Sequence, residues 1–222
     1  MEIALYPIPI LAIVVFFLIR AELREDRKNI YFLKPLATLL VIAMACLSYL
    51  DPAHDRFFSA GILVGLLFSF GGDIALMFQD NRRAFTLGLG LFLLAQVVYT
   101  VIFQVMGRFS GWDVLSGVLL LGFGAFFFSL IRSNLGKMRL PVIVYILVIS
   151  LMVSRAISVF SGAWLSRLQG ILVVLGAVLF YISDVLLAAG RFWKPWRYHR
   201  ISLAFYYSGQ ALLALSASYF VW

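Results

Sequence analysis

Two carboxylates sit where carboxylates are costly to place. The stretch "FSFGGDIALMF", residues 68–78, holds Asp73, and "LFYISDVLLAA", residues 179–189, holds Asp184, each inside a run that otherwise reads as helix buried in hydrocarbon. An ionisable side chain at that depth usually faces a cavity or a partner and marks function. Of the ten acidic residues, Glu2, Glu22, Glu25, Asp26, Asp51, Asp55, Asp80 and Asp113 are expected at span ends or in loops, which leaves Asp73 and Asp184 within spans. Two carboxyl groups in one low-dielectric setting suit general acid–base chemistry, because their environments can keep one protonated and the other ionised. The structural alternative is that each merely pairs, with Lys34 for example, or reaches the headgroups.

Other chemistries lack their groups. The two histidines, His54 and His199, fall in loops, and the single Cys46 lies in an apolar stretch, so a histidine-ligated or cysteine-ligated metal has no intramembrane ligands. Ser69, Ser183, Ser202 and Ser208 are available as nucleophiles, but no intramembrane histidine stands ready as their base. "GLGLF", residues 88–92, runs on into apolar helix with no lysine after it, so it is no phosphate loop. Metal-free, cofactor-free acid chemistry is therefore the expectation.

The elements that must position the pair are membrane spans. The chain of 222 residues is 64% hydrophobic and 13% charged, with mean hydropathy +1.02, far above what a water-exposed surface permits. A bilayer core takes about 20 apolar residues per helix. The chain divides into eight such spans at 3–19, 31–50, 57–78, 84–106, 112–131, 140–160, 168–189 and 200–222. The fold expected is thus all-α, a polytopic bundle of about eight transmembrane helices forming one domain over residues 1–222. The first span has no basic leader and no small-residue cleavage pattern, so it reads as a retained helix.

Fourteen of the eighteen Lys and Arg fall in the odd-numbered connections, against Arg56, Arg108, Arg155 and Arg167 on the other side. The positive-inside tendency then puts both termini outside the cytoplasm. This dispersed charge of +8 reflects topology rather than nucleic acid. Asp73 and Asp184 come to matching depth near the cytoplasmic end, together with Lys34, Tyr145, Tyr206 and Tyr207, and with Thr38, Gln96, Tyr99 and Gln210 somewhat deeper. A polar chamber opening toward the cytoplasmic leaflet is implied. Gly61, Gly65, Gly170 and Gly176 read as helix-packing positions. Trp112, Trp164, Trp193, Trp196 and Trp222 read as an interfacial belt.

The two aspartate segments also resemble each other. Each has a small residue before the Asp (Gly72, Ser183) and a leucine three residues on (Leu76, Leu187), at a separation of 184 − 73 = 111 residues. Four helices lie between the copies, so a duplication would be parallel; convergence on one local need is the other explanation.

Nearly the whole chain resembles the YhhN-like membrane proteins, the lysoplasmalogenases. The resemblance rests on "KPLAT" (34–38), "GGDIALMF" (71–78), "GLGLFLLAQVVYTVIF" (88–103), "YILVISLM" (145–152), "GAVLFYISDVLLA" (176–188) and "YYSGQ" (206–210). It implies hydrolysis of the vinyl ether bond of a lysophospholipid, a lysoplasmalogen, to fatty aldehyde and glycerophosphoethanolamine or glycerophosphocholine. The substrate would be a membrane lipid, and a bacterial inner membrane is the expected location. By the same resemblance Asp73 and Asp184 are the catalytic pair. Gln96 stands where many relatives are expected to carry a histidine.

A vinyl ether hydrolyses when an acid protonates its outer carbon and water captures the resulting cation, which suits two carboxyls with divided roles. Asp184, flanked by Val185 and Leu186, is assigned the acid, and Asp73, held by Lys34, the anion; the reverse assignment stays open. Tyr145, Tyr207 and Gln210 would orient water or the ether oxygen, with Lys34 as an alternative contact for the substrate phosphate. Two rivals remain, a transporter using the same aspartates and a scaffold in which they only join helices.

Overall fold

The computed structural model describes residues 2–50, 55–78, 80–162, 164–194 and 199–218. Asp51, His54, Trp196, Arg197 and Trp222 lie outside the described residues, as does the end of the expected eighth span. A short 3-10 turn, Glu2–Leu5, leads into α1 (Pro7–Leu23), α2 (Arg27–Ser48), α3 (Arg56–Met77) and α4 (Arg82–Met106). These are followed by α5 (Gly111–Ile131), α6 (Arg139–Ser158), α7 (Arg167–Phe192) and α8 (Ser202–Ser216). Seven of these helices are long and apolar enough to cross a membrane; α8 has 15 described residues. The protein is an integral membrane protein.

Polar residues at the span ends start the helices. Asp55 accepts the Phe58 backbone N–H at 2.7 Å at the head of α3, and Asn81 accepts that of Arg83 at 2.8 Å at the head of α4. Ser110 with Asp113, and Ser166 with Gln169, form reciprocal capping boxes on α5 and α7. Each cap supplies an acceptor to N–H groups that have none within the helix. Between α1 and α2 the chain reverses at Glu25, whose φ of 56° is left-handed, and Asp26 then caps α2 through Asn29.

Among the described residues, α2, α3, α4, α6, α7 and α8 close into a ring in which each packs on the next in that order. α1 lies outside the ring against α2 and α8, and α5 lies outside it against α6. The outer faces stay apolar, as contact with lipid requires: Val118, Leu119 and Phe126 of α5 are all exposed. Trp112, Trp164 and Trp193, at or near helix ends, are exposed as well.

The pairing repeats itself. The first four helices pack as α1 on α2, α2 on α3 and α3 on α4; the last four pack as α5 on α6, α6 on α7 and α7 on α8; α4 with α6 and α8 with α2 join the halves. Both inner hairpins are drawn together by small residues. On α3, a Cβ at Gly65 would meet the Tyr99 ring of α4 at 2.2 Å. On α7, Gly176 faces Gly209 of α8 so closely that a Cβ on Gly209 would lie 2.8 Å from the Gly176 carbonyl oxygen. Gly65 and Gly176 stand at the same 111-residue displacement as the two aspartates. A parallel internal pseudo-repeat thus extends from sequence into packing.

The two glycine environments make opposite predictions. Gly209→Ala forces carbon into backbone and should cost about 1–3 kcal/mol of stability, read as a lower melting temperature in detergent. Gly90, which has open space where a Cβ would go, should accept Ala with an unchanged or higher melting temperature.

Candidate functional site

Asp73 is 2% exposed, and three neighbouring groups surround it. Its Oδ2 accepts hydrogen bonds from the Thr38 hydroxyl at 2.7 Å and the Tyr206 hydroxyl at 2.8 Å, while Lys34 Nζ lies 3.7 Å from Oδ1. Lys34 and Thr38 are one turn apart on α2, so they present one face to α3. Tyr206 reaches in from α8. Behind them, the Tyr207 hydroxyl donates to the Lys34 carbonyl at 3.2 Å and lies 3.3 Å from Thr38 Oγ1, which holds the end of α2 that carries the lysine.

Asp184 is half-buried on α7. Its Oδ2 accepts from the Tyr145 hydroxyl at 2.5 Å and from Gln96 Nε2 at 3.0 Å; Gln96 Nε2 also donates to Tyr145 at 2.7 Å. No Lys, Arg or His forms an ion pair with Asp184 among the described residues. Each carboxyl thus takes its donors from the helix before it and from the closing helix of the other half: α2 and α8 for Asp73, α6 and α4 for Asp184. Lys34 and Tyr145 are themselves 111 residues apart, as are Gln96 and Tyr207. At equivalent positions of the repeat, one carboxyl therefore meets an ammonium and the other a phenol.

Both carboxyls open into one polar cavity, lined also by Lys34, Ser183, Ser202, Tyr206, Glu22 and Arg200. Asp184 additionally lines an apolar cleft among α3 to α7, walled by Phe85, Leu89, Phe127, Val142, Ile146 and Ile149. The free space along the cleft is about 740 Å³ when the part open to the outside is included. Leu76, Phe92, Asp184 and Leu187 belong to both cavities and mark their junction. Among the described residues, the arrangement offers a carboxyl without a paired cation at the meeting of a greasy slot and a charged chamber.

Of the expected site residues, Asp73, Asp184, Lys34 and Tyr145 line these cavities, and Thr38, Gln96 and Tyr207 support them from behind. Tyr99 and Gln210 stand apart: the Tyr99 hydroxyl donates to Gln210 Oε1 at 3.1 Å, and neither lines either cavity. They too are 111 residues apart, so the bond joins equivalent positions of the two halves. Tyr206 reaches Asp73, and the adjacent Tyr207 does not, because successive helical residues point about 100° apart. Glu22, expected at a span end, lies in the last turn of α1 with a side chain 8% exposed and paired to Arg200 at 3.2 Å. α1 runs one turn past its expected end, which is what carries Glu22 to the chamber.

Asp113 lies at a span end, as expected, but is buried there in an ion pair with Arg155 that the sequence did not indicate. Asp113 near the start of α5 is 3% exposed, and Arg155 near the end of α6 is 7% exposed; Arg155 Nη2 donates to Asp113 Oδ1 at 2.8 Å. Arg155 also takes Gln104 Oε1 at 3.0 Å and lies over the Phe109 ring. These helix ends lie at the far end of the bundle from the two cavities, so the pair locks α5 to α6 rather than serving the site. Among the described residues no cluster of three or more His, Cys, Asp or Glu is gathered as metal ligands.

The fold and site define an eight-helix membrane protein with two carboxyls at one cavity. Sequence comparison gives the class a family. The YhhN family model matches residues 29–217, and the chain belongs to that family. Lysoplasmalogenase TMEM86A of Bos taurus is 32% identical over 161 residues, covering 70% of this chain. Lysoplasmalogenase TMEM86A of Homo sapiens is 32% identical over 163 residues, also covering 70% of this chain. The chain spans 64% of the length of each of these relatives. No solved structure matches it.

Breaking the far ion pair from one side should leave a buried charge without a partner, at about 3–5 kcal/mol. Arg155→Met is therefore expected to lower the melting temperature in detergent steeply, and Arg155→Met combined with Asp113→Asn to recover part of that loss. A single variant as stable as wild type would show that the pair contributes nothing.

Proposed function

We propose that this protein is a lysoplasmalogenase, hydrolysing the vinyl ether of a lysophospholipid with Asp184 as general acid and Asp73 as the anion that stabilises the cation and activates water. The observation that carries the reading is the unequal treatment of two equivalent carboxyls at one cavity. An ammonium, that of Lys34, lies beside Asp73, while among the described residues Asp184 meets the neutral donors Tyr145 and Gln96. The family relationship and the two lysoplasmalogenase relatives support the substrate class.

The alkenyl chain lies in the apolar cleft and the glycerol side in the polar cavity, which puts the vinyl ether at the junction formed by Leu76, Phe92, Asp184 and Leu187. The Asp184 proton passes to the outer vinyl carbon, where the double-bond electrons form the new C–H bond and the positive charge develops between the inner carbon and the ether oxygen. Asp73 stabilises that cation across the cavity. Water then adds to the inner carbon and gives its proton to Asp73, leaving a hemiacetal. Asp73 returns this proton to the departing glycerol oxygen as the carbon–oxygen bond breaks, and the hemiacetal hydroxyl proton restores Asp184. The products are a fatty aldehyde and a glycerophospho-base. Tyr145 and Gln96 hold the Asp184 carboxyl in place; an amide at 96 orients without shuttling a proton.

Paired halves and membrane acids are also features of transporters, so the deciding readout is product. Purified protein in detergent should release fatty aldehyde from 1-alkenyl-glycerophosphoethanolamine. Folded Asp73→Asn and Asp184→Asn variants should each be slower by at least about 100-fold, the lower range for a lost acid–base group. Tyr145→Phe, which removes one donor to a charged or developing group, should cost about tenfold. Aspartate-dependent uptake by vesicles with no aldehyde formed would replace the enzyme reading with transport.

A further inference from the structure

The mechanism leaves one ion pair of the cavity unused. Arg200 Nε lies 3.2 Å from Glu22 Oε2, with side chains 23% and 8% exposed, and ties the last turn of α1 to the His199–Ile201 turn that leads into α8. Both residues line the polar cavity that holds the two aspartates. Both also line an outer recess bounded by Glu25, Arg27, Tyr31 and Asp80. The pair therefore stands at the boundary between the reacting centre and the outer recess.

We infer that Glu22 and Arg200 form a clasp for a zwitterionic head group, Arg200 taking the phosphate and Glu22 the ammonium; this rests on the vinyl ether hydrolase reading. With the chain in the apolar cleft and the ether at Asp184, the glycerol and head group have to run into the polar cavity, and this pair lies in its wall. The other cation of that wall, Lys34, is already engaged by Asp73. A partly buried ion pair opens only if both charges find new partners. A phosphate and an ammonium carried by one ligand do this together, so the exchange leaves no charge unpaired. A phosphate monoester would leave Glu22 facing added negative charge, and a bare glycerol would satisfy neither residue. Arg27 and Asp80 of the outer recess neutralise each other at 2.7 Å, which leaves Glu25 as a further attraction for the amine.

Binding of unreactive saturated ethers tests the clasp apart from turnover. The three ligands are 1-alkyl-glycerophosphoethanolamine, 1-alkylglycerol 3-phosphate and 1-alkylglycerol, offered to detergent-purified protein. The loss in affinity on Arg200→Gln should be at least about tenfold greater for the two phosphorylated ligands than for 1-alkylglycerol, a charge-assisted hydrogen bond being at stake. Glu22→Gln should weaken the ethanolamine ligand by about tenfold and strengthen the phosphate monoester. Arg200→Lys, which keeps the charge, should retain the phosphate preference and guards against a merely misfolded Gln variant. Equal losses for all three ligands would overturn the clasp and leave the pair as a strut between α1 and α8. Head-group-selective binding with no aldehyde from the alkenyl substrate would uphold the clasp and remove the hydrolase reading instead.

Discussion

A carboxyl group inside a hydrocarbon slab has to be given donors, or the helix bearing it will not stay there. That requirement explains why the ring closes as it does. Asp73 on α3 is reached from α2 and α8, and Asp184 on α7 from α6 and α4. Each aspartate thereby ties its own helix to the one before it and to one across the ring. The glycines bring α3 against α4 and α7 against α8, so each carboxyl-bearing helix packs on the helix whose Gln96 or Tyr206 serves the opposite carboxyl. Thr38 and Tyr206 on one side, and Gln96 and Tyr145 on the other, are neutral donors, so among the described residues the burial is achieved with hydrogen bonds and a single ammonium.

The repeat gives the site its plan, and a departure from the repeat gives it chemical direction. If the halves were identical, two equivalent carboxyls would face one cavity and neither would have a distinct role. Lys34 and Tyr145 occupy equivalent positions, and this one difference places a cation beside Asp73 and a phenol beside Asp184. The proposed acid and anion follow from it. The second difference lies outside the carboxyls: the apolar cleft lies among α3 to α7 and is lined by Asp184 but not by Asp73, so it is Asp184 that meets the space suited to an alkenyl chain.

Much of this was readable in the chain, for identifiable reasons. Helix positions followed from hydropathy, since a span is fixed by the thickness it must cross, and the described ends differ from expectation most where α1 starts at Pro7 and runs on to Leu23, α2 starts at Arg27 and α7 runs on to Phe192. The aspartates stood out because nothing else in those runs is charged. What hydropathy does not carry is rotation. Neighbouring tyrosines at 206 and 207 have one depth but different directions, and only the packing of α8 against α2 and α3 decides that Tyr206 faces Asp73. Tyr99 and Gln210 have the right depth too, yet they face each other. Glu22 with Arg200, and Asp113 with Arg155, each join residues far apart in sequence that read separately as span-end charges. Their burial appears only when the helices are assembled.

The central claim is that the carboxyl at the junction of the two cavities protonates the outer carbon of a vinyl ether. The most direct test is hydrolysis in deuterium oxide, with the aldehyde reduced as it forms and its deuterium located by mass spectrometry. A single solvent deuterium on the carbon next to the former carbonyl, together with slower turnover than in ordinary water, is the predicted result. Aldehyde without that deuterium, or turnover indifferent to the solvent isotope, would contradict rate-determining proton transfer to carbon and with it the role given to Asp184.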